Sequence, residues 1–195
     1  MRDYLLHRKD RLLITTVEII DELGIQGLST REIAKRQGVS EATLFRHYKS
    51  KNELLIAVLD YFSQFDGDIF NSTKLKNLKP TEAIYYFIGA TVEYYENYPA
   101  ITSIMQLMDV LRYEAELSDK VNEIYENRIS IIKQLIMDAQ LSGEIRSDLD
   151  SENLSEMISG FCREICLKWR LEDRKFSLKQ RTLSSLDMFM GVFRI

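Results

Sequence analysis

Cysteine is scarce in this chain: Cys162 and Cys166 are the two among 195 residues. That leaves no disulfide framework and fits a reducing compartment. The two histidines, His7 and His47, stand far apart, which argues against a His-rich metal site and the zinc chemistry that goes with it. Two prolines and eight glycines leave long strings of Leu, Ile, Glu, Lys, Arg and Met without punctuation, a pattern that favours helices throughout. Charges interrupt every apolar run before it reaches the ~18 residues of a membrane span, and "MRDYLLHRKD" has no apolar h-region. A soluble, cytoplasmic protein with no membrane partner and no cofactor is expected. Nor is there a Ser-His-Asp set, a metal-ligand spacing or a phosphate-cradling glycine loop, so no enzyme is expected.

What is present suffices for a core. Hydrophobic residues make up 45% and charged residues 29% of the chain, outside the signature of disorder. The net charge of −4 conceals an asymmetry. Residues 1–51 hold ten Lys/Arg against seven Asp/Glu, net +3, and the remainder is net −7. The front end suits a polyanion; the body does not.

Apolar spacing predicts an all-α fold of about nine helices. The first runs over about 9–23 with Gly24 as its cap. "LSTREIAKRQG" opens a two-turn helix with Ser29 and Glu32 at capping-box spacing and ends it at Gly38. Ser40 caps a short helix over 41–47, and Ser50 with Glu53 opens a fourth that extends toward Phe70. "NSTKLKNLKP" reads as a connector. Further helices follow over 81–97, from Pro99 toward Arg112, and over 118–141, 152–171 and 177–193.

Two short helices joined by a glycine-containing turn form a helix-turn-helix, whose second helix can enter the major groove of DNA. In "GVSEATLFRHYKSK", Ser40, Thr43, Arg46, His47, Tyr48, Lys49 and Lys51 supply donors and cations for phosphates. Glu41, Ala42, Phe45 and Arg46 can turn toward base edges, with Arg31 as a further reader. Glu41 is unusual among cations: it can accept from a cytosine amino group or tether a nearby Arg. Leu44 and Tyr48, four apart, can pack inward.

Residues Leu13 to Val58, centred on "GIQGLSTREIAKRQGVSEATLFRHYKSKNELLIAV", resemble the DNA-binding domain of the TetR (tetracycline repressor) family of bacterial transcriptional regulators. The resemblance implies an all-α homodimer with a helix-turn-helix domain over 1–50 and an effector-binding and dimerisation bundle over 51–195. It implies phosphate contacts from Thr30, Thr43, His47, Tyr48 and Lys51, and places Arg31, Glu41, Ala42 and Phe45 near bases. The family often has Tyr where this chain has Phe45, which removes one phosphate hydrogen bond and leaves apolar contact with a thymine methyl.

The C-terminal part carries no motif of that sharpness. An aromatic and methionine stripe offers Tyr86, Tyr94, Tyr95, Met105, Met108 and Tyr125 as walls of a pocket for a partly apolar small-molecule effector. Core packing is the plainer reading of such a stripe. Met157, Phe161, Ile165, Trp169, Leu183, Leu186 and Met190, in the last two helices, are the expected dimer interface, because apolar residues are spread too broadly there for one chain to cover. Cys162 and Cys166 share a helix face, a pattern compatible with a soft metal or oxidation and equally with two small buried side chains. The function expected is that of a ligand-responsive repressor, acting as a homodimer on palindromic operator DNA.

Overall fold

Three serines set the starts of three successive helices near the N-terminus, after a first helix that has no side-chain cap. In the computed structural model, which describes residues 7–193, α1 spans Arg8–Leu23 and a single 3-10 turn, Ile25–Gly27, leads to α2, Thr30–Gln37. The Ser29 hydroxyl accepts the Glu32 N–H at the start of α2. Only half of the capping box forms, because the Glu32 carboxylate pairs with Arg36 at 3.0 Å. Gly38, at φ 62°, ends α2 in the left-handed region that a side chain resists. Ser40 caps α3, Glu41–Phe45, by accepting the Thr43 N–H. This helix is shorter than expected: past Phe45 the chain closes into a turn in which both the His47 and Tyr48 amides donate to the Leu44 carbonyl.

The fourth helix, α4, spans Lys51–Leu75. Ser50 caps it by accepting the Glu53 N–H, while the Glu53 carboxylate accepts the amide one residue before the cap, the Lys49 N–H. The helix runs five residues past Phe70, into the first half of the segment expected to be a connector, and 76–79 remain outside any helix. The hydroxyls of Ser72 and Thr73 donate back to the carbonyls of Asp68 and Phe70, and Thr73 is buried. Polar residues that open a loop elsewhere are here satisfied within the helix.

The remaining helices are α5, Pro80–Asn97; α6, Ile101–Leu111; α7, Ala115–Leu141; α8, Ser151–Leu171; and α9, Leu178–Gly191. Pro99 lies in the turn before α6 rather than in its first turn, and its carbonyl accepts the Thr102 N–H. Among the described residues there is no strand and no helix long and apolar enough to cross a membrane.

Packing divides the chain into two units. One is built from the chain up to Gln64 and from Tyr98–Asn122. In it α1 packs on α2 and on α6, α2 packs on α3, and Leu12, Val17, Ile33, Leu44, Leu54 and Val58 are buried. The Ser103 hydroxyl donates to the Asp21 carboxylate, joining α6 to α1, and Lys120 at the start of α7 pairs with Asp60 at 2.8 Å. The unit therefore includes α6, a division by packing that differs from a cut in the sequence at residue 50.

The other unit comprises Phe65–Asn97 and the chain from Glu123 onward. Its core joins Ile84, Phe87 and Ile88 of α5 with Ile132, Leu135 and Ile136 of α7, Ile158 of α8 and Leu186 of α9. Glu144 holds the start of α5 by accepting from the Thr81 amide and hydroxyl. Glu96 does the same at the start of α9, accepting from the Lys179 amide at 3.1 Å.

Candidate nucleic-acid interface

Burial of Leu44 and Tyr48 fixes which side of α3 faces out. Leu44 is 0% and Tyr48 2% exposed. The opposite side therefore presents Glu41, Ala42 and Phe45 to solvent, Arg46 and His47 are exposed in the turn that follows, and Arg31, Lys49 and Lys51 are exposed beside it. Phe45 remains 46% exposed, a large apolar ring in water on a polar surface. Among the described residues none of Arg31, Arg46, Lys49 and Lys51 forms an ion pair. Four uncompensated cations around a short protruding helix make a surface for phosphates.

The hydroxyl protons can be counted. Arg46 Nη2 donates to Thr43 Oγ1 at 3.0 Å, and Ser40 Oγ and Thr43 Oγ1 lie 3.1 Å apart with one proton between them. Whichever hydroxyl donates, the other keeps a proton for an incoming phosphate oxygen, with the Arg46 charge alongside. Thr30 differs. Its hydroxyl donates to Glu41 Oε2 at 2.6 Å, tying the first residue of α2 to the first residue of α3. Glu41 thus tethers a threonine, not an arginine.

Tyr48 departs from the role the resemblance implies. Its hydroxyl is closed to solvent and has no hydrogen-bond partner, while Lys9 Nζ sits 5.5 Å from the centre of its ring. Burial, with the nearby Asp10 and Glu53 charges, pushes its pKa up to about 12. The inward-packing role is the one this structure displays, because the backbone turn after Phe45 points the ring into the core.

Two family models cover most of the chain. The model for bacterial regulatory proteins of the tetR family matches residues 12–58, and the model for the YsiA-like protein C-terminal region matches residues 60–191. The chain is a TetR-family transcriptional regulator. The "Fatty acid metabolism regulator protein" of Bacillus subtilis (strain 168) is 24% identical to it over 186 residues, 93% of each chain. The crystal structure of FadR from Bacillus subtilis in complex with stearoyl-CoA superposes with a TM-score of 0.83 at 25% identity, covering 93% of this chain and 97% of that one. A nucleoid occlusion factor, SlmA of Aliivibrio fischeri (strain MJ11), is 25% identical over 166 residues, 80% of this chain and 83% of its own.

The effector candidates of this TetR-family regulator fall into both units. Met105 and Met108 are half-buried on α6 in the first. In the second, Tyr125 is half exposed and Tyr86 lies under Lys76, whose Nζ is 5.3 Å from the ring centre. Tyr94 stacks on Phe65 at 4.8 Å, and Tyr95, its neighbour, is buried. Beside Tyr95 lies a group that pattern reading missed. Arg128 of α7 makes a two-pronged ion pair with Asp66 of α4, Nε to Oδ2 at 2.8 Å and Nη2 to Oδ1 at 2.9 Å. Burial works against the Arg128 charge, but the Tyr95 and Asp66 oxygens facing it more than offset that and raise its pKa. Burial raises the Tyr95 phenol well above its ordinary range. A signal existed: both charges interrupt apolar stripes, Asp66 between Phe62 and Ile69, Arg128 between Ile124 and Ile131.

The dimer candidates separate by burial. Trp169, Leu186 and Met190 are 2%, 0% and 2% exposed and belong to the chain's own interior, with Trp169 Nε1 donating to the Phe176 carbonyl at 2.8 Å. Helical spacing marks an apolar stripe without saying what covers it, so these three are corrected from interface to core. Phe161, Ile165 and Leu183 are half-covered and Met157 is exposed. Burial pushes the Cys162 thiol up to about 12, which disfavours its thiolate. Among the described residues no cluster of His, Cys, Asp and Glu is placed to hold a metal.

Proposed function

We propose that this regulator is a repressor that binds a palindromic operator as a homodimer and leaves it when a fatty acyl-CoA occupies the second unit. The observation that carries the DNA half of this reading is the outward side of α3 and the turn after it, with Ala42, Phe45, Arg46 and His47 uncovered and the neighbouring cations unpaired. Two such helices related by a two-fold axis would reach successive major grooves about 34–36 Å apart. Thr43, Arg46, His47 and Lys51 position the duplex on its phosphates, and Arg31, Glu41, Ala42 and Phe45 meet base edges.

The effector half is supported by the C-terminal family match and by the likeness to a regulator crystallised with stearoyl-CoA. A long acyl chain suits an apolar interior such as the one where Tyr94 stacks on Phe65 beside the buried Tyr95. The buried Arg128–Asp66 pair provides a polar point within it. Such a ligand acts on DNA binding only through its preference for the DNA-free state, and DNA must oppose the ligand by the same factor. The protein works by this linkage in the cytoplasm and catalyses nothing.

The likeness to a nucleoid occlusion factor favours a second reading, a DNA binder in cell division that responds to no small molecule. One titration separates them. Genomic fragments that the purified protein retains are labelled and challenged with palmitoyl-CoA, stearoyl-CoA and free CoA. The repressor reading expects release by the acyl thioesters and none by CoA; retention under all three favours the second reading. No retained fragment at low salt refutes both.

A further inference from the structure

A carboxylate stands on the surface that must meet a polyanion. Glu41 opens α3, is exposed, and forms no ion pair among the described residues. Its Oε2 accepts the Thr30 hydroxyl proton at 2.6 Å across an interval of eleven residues, so the carboxylate is held in place by the other helix of the pair. Two consequences follow from donor counting. A threonine hydroxyl has one proton, and phosphate oxygens only accept, so in this arrangement the Thr30 side chain has nothing to give a phosphate. Glu41 itself has a full oxygen, Oε1, and no proton; against phosphates it only repels.

That charge costs binding on any sequence unless a donor meets it. In the major groove cytosine presents its N4 amino group as donor with no acceptor beside it, whereas adenine sets the N7 acceptor next to its amino group. On the premise that α3 enters the groove, we infer that Glu41, positioned by Thr30, is a specificity-determining residue: it selects cytosine at one position of each half-site and lowers affinity for duplexes that lack it. The carboxylate thus acts against non-specific binding as well as for the cognate site.

The test uses the full chain and a pool of randomised duplexes, sequenced after selection on wild type, Glu41→Gln, Thr30→Val and Thr30→Ser. Circular dichroism checks that each variant is folded. Wild type is expected to enrich cytosine at one position per half-site. Glu41→Gln, nearly the same shape without the charge, should lose that cytosine in favour of adenine, whose N6 and N7 a glutamine matches. Its affinity for a random duplex should rise several-fold at low salt. Thr30→Val should blur the cytosine preference and Thr30→Ser, which keeps the proton, should restore it. An unchanged cytosine in the Glu41→Gln motif, or random-duplex affinity equal to wild type, overturns the inference while the regulator reading stands. A wild type that enriches no motif overturns both.

Discussion

Arg128 and Asp66 are joined by two hydrogen bonds of 2.8 and 2.9 Å although 62 residues separate them, and their side chains are only 18% and 6% exposed. An ion pair so enclosed gives little net stability, since desolvating two charges cancels most of their attraction. Removing one partner is another matter. Asp66→Asn leaves the guanidinium without its counter-charge and should cost about 3–5 kcal/mol. The double variant Asp66→Leu/Arg128→Met removes both charges and should unfold within about 1–2 kcal/mol of wild type. Urea denaturation of the two variants checks this. If the pair serves the effector, the double variant keeps its affinity for DNA and loses its response to stearoyl-CoA.

Tyr48 offers a cleaner test, because its hydroxyl is buried with no partner. Tyr48→Phe should leave stability at neutral pH within about 1 kcal/mol or raise it, as an unsatisfied hydroxyl contributes nothing once desolvated. Above pH ~10 the two proteins should part. The folded tyrosine holds its proton to about 12, against ~10 in the unfolded chain. Its contribution is therefore complete below ~10 and is lost as pH rises through about 12. Wild type should lose stability over that window more steeply than the phenylalanine variant in denaturation series at fixed pH. A large fall in operator affinity for Tyr48→Phe would restore the phosphate role that the resemblance implies.

What the sequence made legible was local. Ser29 with Glu32, Ser40 with Thr43, Ser50 with Glu53 and the left-handed Gly38 each act within three or four residues, and each marks a helix end in the structure. The same locality misled at Ser72 and Thr73, whose hydroxyls turn back into α4 instead of ending it. Long-range relations were out of reach. Nothing near Glu41 announced Thr30 as its partner, and the charges of Asp66 and Arg128 broke two apolar stripes without revealing that they meet. Trp169, Leu186 and Met190 show the converse limit, since a stripe has the same spacing whether a core or a second chain covers it.

Lys51 and Arg31 should fail in different ways. Lys51 begins α4, exposed and unpaired, where the free amides of the helix start also suit a phosphate. Lys51→Ala should weaken binding to every duplex alike and lower the slope of log K against log salt by about one. Arg31, exposed in the first turn of α2, should affect sequence rather than salt. Arg31→Ala should relax preference at one base pair by about tenfold or more. Equal losses on cognate and random duplexes would refute its base-reading role.

Dimerisation should depend on the apolar surface that α8 and α9 leave open. On α8 Met157 is 56% exposed, and an added Cβ on neighbouring Gly160 would meet nothing within 4 Å. On α9, which packs against α8, Met188 is 75% exposed, and Val192, just past its end, is 69% exposed. Large apolar side chains left open along two adjacent helices suit cover by another surface. On the proposed reading of a homodimer on a palindrome that surface is a second copy, and Gly160 would admit close approach of its backbone. Met157→Glu/Met188→Glu places charges on the seam and leaves the core intact. In sedimentation velocity at micromolar concentration the wild type should run at twice the chain mass and the variant as a single chain with unchanged helix content. The variant should keep weak affinity for a half-site and lose most of the gain from the full palindrome, because that gain comes from tethering two readers. A wild type that sediments as a single chain, or a variant that still pairs, places the dimer contact elsewhere.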